Sequence, residues 1–126
     1  MHNYKELILW QKSIRLVSDV YKATGTFPDR ERFNLISQIN RAAVSIPSNI
    51  AEGAGRNSDK EFVQFLAIAH ASTYEVETQL IISKNLGYLS EEGLEGLLEK
   101  LEELQKMNYI FQQKLLLKVK NLTTNI

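Results

Sequence analysis

Residues 53–61 read Gly53-Ala54-Gly55-Arg56-Asn57-Ser58-Asp59-Lys60-Glu61, a helix stop followed at once by a helix start. The two glycines end one helix. Ser58-Asp59-Lys60-Glu61 is a capping box, in which the serine hydroxyl and the glutamate carboxylate satisfy the first backbone N–H groups of the next helix. A turn this short folds the second helix back along the first, so the two are antiparallel neighbours.

Upstream of the turn, the segment from about Pro28 to Glu52 places Leu35, Ile39, Ala42, Ile46 and Ile50 on one face. Pro28 suits a first helical turn, where its missing N–H has no partner to lose, and Asp29 and Glu31 there carry the favourable sign for the helix dipole. Pro47 falls inside the segment, and its ring and lost hydrogen bond predict a kink near Ala43 to Pro47 within one helix. Downstream, residues 58–86 turn Phe62, Phe65, Leu66, Ala69, Val76 and Leu80 inward, and Gly87 is placed as the C-terminal cap.

The pattern extends to both ends of the chain. From about Tyr4 to Thr24, Leu7, Trp10, Ile14, Val17 and Tyr21 recur at steps of three and four, widened by Leu16 and Val20, and Gly25 stops the helix. From Ser90 to about Lys120, Leu94, Leu97, Leu98, Leu101, Leu104, Phe111 and Leu115 do the same. No stretch alternates as a half-buried strand does. Connections of about four to six residues between long helices predict an all-α, up-down-up-down antiparallel four-helix bundle in a single domain.

Composition narrows the function classes. The chain has 126 residues, with 15 basic and 15 acidic side chains, two histidines and no cysteine. This length buries roughly two-thirds of the unfolded surface without needing disulfides or a structural metal. Thiol nucleophiles, thiolate metal sites and disulfides are absent by inventory. A net charge of zero argues against a body that is basic all over. No apolar run approaches the roughly 18 residues a membrane span requires, and the N-terminus lacks a signal-peptide core, so the chain reads as cytoplasmic.

The chemistry expected of such a bundle is also limited. A di-metal carboxylate site needs two Glu-x-x-His pairs, whereas the only histidines are His2 and His70 and the residue three before His70 is Ala67. His70 reads as a boundary or surface residue. Gly53-Ala54-Gly55-Arg56 lacks the preceding strand and the Gly-Lys-Ser/Thr of a phosphate loop. Glu75 and Glu77 point in different directions on their helix and make no dyad. The reading is of a non-enzymatic protein with no catalytic residue, cofactor, metal or small-molecule substrate.

The second helix carries a further pattern. Gln38, Arg41, Ser45, Asn49 and Glu52 advance by three or four, and the third helix answers with Ser72, Glu75 and Gln79. Uncharged Ser, Asn and Gln mixed with a few charges, beside Ala42, Ala43 and Ala51, suit close helix contact with buried hydrogen bonds, inside the bundle or between subunits. Antiparallel pairing brings Arg41 near the Ser72 to Glu75 stretch and predicts an Arg41–Glu75 pair; breaking such a pair, if buried, costs about 3 to 5 kcal/mol.

Charge along the fourth helix is polarised. Glu91, Glu92, Glu95, Glu99, Glu102 and Glu103 come first and Lys106, Lys114, Lys118 and Lys120 last. This order suits the helix dipole, at about 0.3 to 1 kcal/mol per well-placed charge, and leaves a basic C-terminal face.

A family resemblance rests on Leu7, Trp10-Gln11, Val20-Tyr21, Phe27-Pro28, Gln38, Arg41-Ala42-Ala43, Ser45-Ile46-Pro47, Asn49-Ile50-Ala51-Glu52-Gly53 and Arg56. It continues through Phe65-Leu66, Ile68-Ala69, Ser72, Glu75, Glu77-Thr78, Leu80 and Leu86-Gly87-Tyr88-Leu89. The chain resembles the four-helix bundle family named after proteins encoded in intervening sequences of 23S ribosomal RNA, also labelled S23 ribosomal protein. The resemblance implies a bacterial bundle assembled as a ring-like homopentamer, with neither catalysis nor a cofactor. A related member, the accessory protein of diversity-generating retroelements, is a pentamer that binds nucleic acid and the reverse transcriptase. Nucleic-acid-binding members are strongly basic, whereas this chain is neutral, and Ala71 stands where the family commonly has glycine.

Two functional readings follow. In one, the oligomer binds RNA or associates with the ribosome, through Lys12, Arg15 and Lys22 on the first helix or Lys114, Lys118 and Lys120 on the fourth, with binding that weakens steeply in salt. In the other, it is a protein–protein scaffold with no nucleic-acid role, and the acidic block from Glu91 to Glu103 is the docking face.

Overall fold

The computed structural model describes residues 2–124, with side chains described as far as Asn121. Four helices run α1 Ile8–Thr24, α2 Leu35–Ala54, α3 Asp59–Asn85 and α4 Glu91–Thr124. Among the described residues there is no strand. Among the described residues, each helix packs against its two neighbours in the order α1–α2–α3–α4–α1, and the backbones of the diagonal pairs do not come close, which is the square arrangement of an up-down-up-down bundle.

The helix starts follow local chemistry. Ser58 Oγ accepts from the Glu61 N–H at 3.2 Å to open α3, and Ser90 Oγ accepts from the Gly93 N–H at 3.0 Å to open α4. At the end of α3, Gly87 takes φ +82°, the Tyr88 N–H reaches the Ser83 carbonyl at 2.9 Å and the Gly87 N–H reaches Lys84 at 3.0 Å. This is a Schellman turn, and its left-handed residue is the glycine expected as a cap. α2 runs unbroken through Pro47.

Two expected starts move. The helix predicted from Tyr4 begins at Ile8, because Asn3 caps a separate 3₁₀ turn over Tyr4–Glu6 and Leu7 is extended. The helix predicted from Pro28 begins at Leu35. Pro28 opens only a 3₁₀ turn over Asp29–Glu31, Asn34 leaves the helical region at φ −118°, ψ −101°, and Phe33 stands 87% exposed. The Glu31 carboxylate accepts from the Tyr88 hydroxyl at 3.0 Å, which ties this segment to the α3–α4 turn.

The core is built from Leu16, Val20, Ile39, Ile46, Ile50, Phe62, Leu66, Val76, Leu80, Leu101 and Leu104, all buried. The inward face of α1 is rotated from its expected stripe. Leu9, Ser13, Leu16, Val20 and Thr24 are buried, whereas Ile14 and Tyr21 are exposed. Two hydroxyl residues belong to this face because the helix itself satisfies them: Ser13 Oγ donates to the Trp10 carbonyl at 2.7 Å, and Thr24 Oγ1 lies 3.2 Å from the Tyr21 carbonyl and 3.0 Å from Asn40 Oδ1.

Candidate interaction surfaces

The seam between α2 and α3 is built on small side chains. Ala42, Ala43 and Ala69 are buried, and a Cβ added at Gly53 would meet Phe65 Cβ at 2.7 Å and Phe62 Cδ1 at 2.8 Å, so only glycine permits this approach. At that spacing Ser45 Oγ and Ser72 Oγ lie 2.6 Å apart, with the Ala42 carbonyl 2.7 Å from the first and the Ile68 carbonyl 3.1 Å from the second. Asn49 Nδ2 donates to the Ser45 carbonyl at 2.7 Å.

Six of the eight residues singled out as a polar seam line one open groove: Gln38, Arg41, Ser45, Asn49, Ser72 and Glu75, joined by Ala42 and Ile68. Glu52 lies outside it, exposed. Burial is graded across the groove. Ser72 is buried and Ser45 and Asn49 half-buried, whereas Gln38, Arg41 and Glu75 are exposed. The expected Arg41–Glu75 ion pair is not formed within the chain. Both groups stand on a wet rim, where water solvates each charge and a pair gains little. Gln79, also on this seam, is buried with its Oε1 unpartnered.

Two of the predicted basic residues pair with acids of the chain. Lys12 reaches across to Glu103 at 2.6 Å and Lys118 to Asp59 at 3.4 Å, while Arg15, Lys22, Lys114 and Lys120 are exposed. Lys100 bridges to Asp19 at 2.6 Å. The acidic block of α4 is engaged at its ends, Glu91 with Lys84 at 3.0 Å and Glu102 with Lys106 at 3.4 Å, which leaves Glu92, Glu95 and Glu99 exposed between them. Asp59 accepts from both His2 Nε2, at 2.9 Å, and Lys118. The His2 hydrogen bond is the larger cause holding its carboxyl below the ordinary carboxylate value, against a partial opposing effect of burial.

Two features went unread in the sequence. Asn108 is 2% exposed and donates from Nδ2 to the Leu66 carbonyl at 3.0 Å, while Gln112 Nε2 donates to its Oδ1 at 2.7 Å. Its position on the column Leu101, Leu104, Asn108, Phe111, Leu115 was the available signal. The second is a cleft between α3 and α4 lined by His70, Tyr74, Glu102, Gln105, Lys106, Tyr109 and Ile110. His70 is half-buried there, and burial lowers its pKa from the ordinary 6.5. Among the described residues, no group of three or more metal-ligating side chains converges, and no helix is long and apolar enough to cross a membrane.

Comparison with known proteins places this geometry in a family. Residues 5–109 match the family model described as 23S rRNA-intervening sequence protein. Among solved structures, the chain is similar to a protein with unknown function from the S23 ribosomal protein family of Bacteroides thetaiotaomicron. The two are 24% identical, the match covers 83% of this chain and 98% of that one, and the TM-score is 0.75. The curated proteins contain no match. The match to the family ends before Lys114, Lys118 and Lys120, so the likeness says nothing of those lysines.

Proposed function

The chain belongs to the 23S rRNA-intervening sequence protein family, and from this premise we propose that it works without catalysis, as a self-associating bundle whose α2–α3 groove closes on a second copy. The observation that carries this reading is the groove itself: a floor of paired hydroxyls, and a rim on which Arg41 and Glu75 present opposite charges that do not pair within the chain. On α3 the groove side carries Ile68 and Ile82, both exposed and apolar, which suits contact with another helix.

Native mass spectrometry tests the reading. The expected result is a discrete homo-oligomer, five being the number the family resemblance implies. Arg41→Glu or Glu75→Arg alone shifts the distribution to monomer, and the double reversal restores assembly if the two charges meet across copies. A monomer at micromolar concentration for the unmodified chain overturns the proposal.

A second reading, RNA binding by the assembled protein, is favoured by the exposed Arg15, Lys22 and Lys114, which each additional copy repeats. It is weakened by the engagement of Lys12 and Lys118 with acids. Titration of structured RNA at two salt concentrations separates it from a scaffold that docks protein on the acidic face of α4: phosphate contacts require an affinity that falls steeply with salt.

A further inference from the structure

The helices differ in how charge is spread around them. α4 presents Glu92, Glu95, Glu99 and Lys114 to water, whereas Arg41 and Glu52 are the only charged side chains of α2. The exposed ridge of α2 runs through Arg41, Val44, Ser48 and Glu52, between the polar α2–α3 groove on one side and a cleft against α1 on the other. Trp10, Ile14 and Val17 of α1 and Val44, Pro47 and Ala51 of α2 line that cleft, and none of its lining side chains is charged. Ile14 and Val44 are 40% and 39% exposed. α1 thus carries two apolar stripes. One, through Leu9, Leu16 and Val20, enters the core; the other, through Trp10, Ile14 and Val17, looks into the cleft. A helix that is apolar beyond the side its own bundle covers calls for a second cover.

The chemistry of the cleft restricts its occupant. With no charged side chain in its lining, it has no hold on a phosphate backbone or an anionic lipid surface. Its polar side-chain groups are hydroxyls and the Trp10 ring N–H, and Ser18 Oγ already donates to the Ile14 carbonyl at 3.4 Å, which leaves little to orient a small polar ligand. An uncharged, apolar protein surface fits, and the chain itself owns one: Ile68 and Ile82 stand exposed on the groove side of α3. Register matches the two surfaces. The Thr24–Asn40 and Ser45–Ser72 hydrogen bonds fix the antiparallel pairing of α1 with α2 and of α2 with α3, and so set Ile14 and Ile68 at nearly one height along the bundle. Arg41 and Glu75 share another height by the same pairing. Rotation about an axis parallel to the helices preserves height, so it can lay Ile68 of one copy against Ile14 of the next and Glu75 against the next copy's Arg41.

We propose that the α1–α2 cleft receives the α3 side of a second copy's groove, head to tail, which makes α2 the inner helix of a closed ring. This rests on the self-association reading and adds the second face that such a contact requires. The polar residues of an identical groove offer Ile68 no apolar match, whereas the cleft does. Adjacent faces of a square bundle lie at roughly a right angle, so successive head-to-tail contacts curve and close after a few copies.

The test combines native mass spectrometry with cross-linking of the full-length chain. Val44→Glu, at an exposed position, is expected to give a monomer with unchanged helical circular dichroism, and Tyr109→Glu on the α3–α4 side to keep the parent's subunit number. Because the chain has no cysteine, Ile14→Cys and Ile68→Cys can be introduced together and joined by a short bismaleimide. α1 and α3 are diagonal within one bundle and their backbones do not come close, so the linker joins copies, and a covalent ladder beyond the dimer is expected. Assembly that survives Val44→Glu, assembly lost in Tyr109→Glu, or cross-linked products that stop at the dimer overturn this inference. If Arg41→Glu still breaks assembly in any of those cases, the self-association reading stands alone; a monomeric parent chain overturns both.

Discussion

Where α2 meets α3, Gly53 lies against Phe62 and Phe65 and two serine hydroxyls touch at 2.6 Å; where α1 meets α4, Lys12 and Lys100 stretch across to Glu103 and Asp19. The first seam is the most extensive of the four and the second the least. Small residues let backbones approach until packing and hydrogen bonds close the gap, whereas flexible cations bridge a gap that packing leaves open. Stability is therefore expected to concentrate on the α2–α3 side, and the α1–α4 side to respond to salt.

The sharpest way to break this contrast is at Phe62, which is 1% exposed and packs edge-on against Phe111 at 5.4 Å. Phe62→Ala is expected to lower unfolding free energy by about 3 to 5 kcal/mol in chemical denaturation. Gly53→Ala comes next. Overpacking against Phe65 Cβ costs about 1 to 3 kcal/mol, and the gain of roughly 1 kcal/mol in helix propensity offsets part of it, so thermal melts should show a net loss. If the variant were more stable than the parent, the close approach would not be what holds this seam. Smallest is the other seam: Lys12→Met and Lys100→Met are each expected to cost about 0.2 to 1 kcal/mol at low ionic strength, and less as salt is added. A larger, salt-independent loss would erase the distinction between the seams.

Much of this was legible in the residues, and unevenly. The serine cap at Ser58 and the glycine at position 87 mark local backbone needs, and both act where expected. The α2–α3 groove was legible because a helix repeats every three to four residues, which gathers Gln38, Arg41, Ser45 and Asn49 on one face. The rotated face of α1 was not, because Ser13 and Thr24 look polar in sequence and become core residues only by bonding to their own helix. The segment before the delayed start of α2 is held by Glu31 meeting Tyr88, a contact between residues far apart in the chain. The α3–α4 cleft likewise joins His70 and Tyr74 to Gln105 and Tyr109, a juxtaposition that spacing along one helix cannot reveal.

One carboxylate joins parts of the chain that lie farthest apart in sequence. Asp59, at the first position of α3, is shared by His2 and by Lys118 near the end of α4, while the His2 backbone N–H also holds the Ala54 carbonyl at 2.8 Å. The shared carboxyl keeps its charge further into acid than a free aspartate, so its contribution to stability is intact at neutral pH and is lost as pH falls through that depressed value. A single proton taken up there loosens the leading segment and the trailing helix together, which makes the two extremities of the polypeptide one acid-labile clasp.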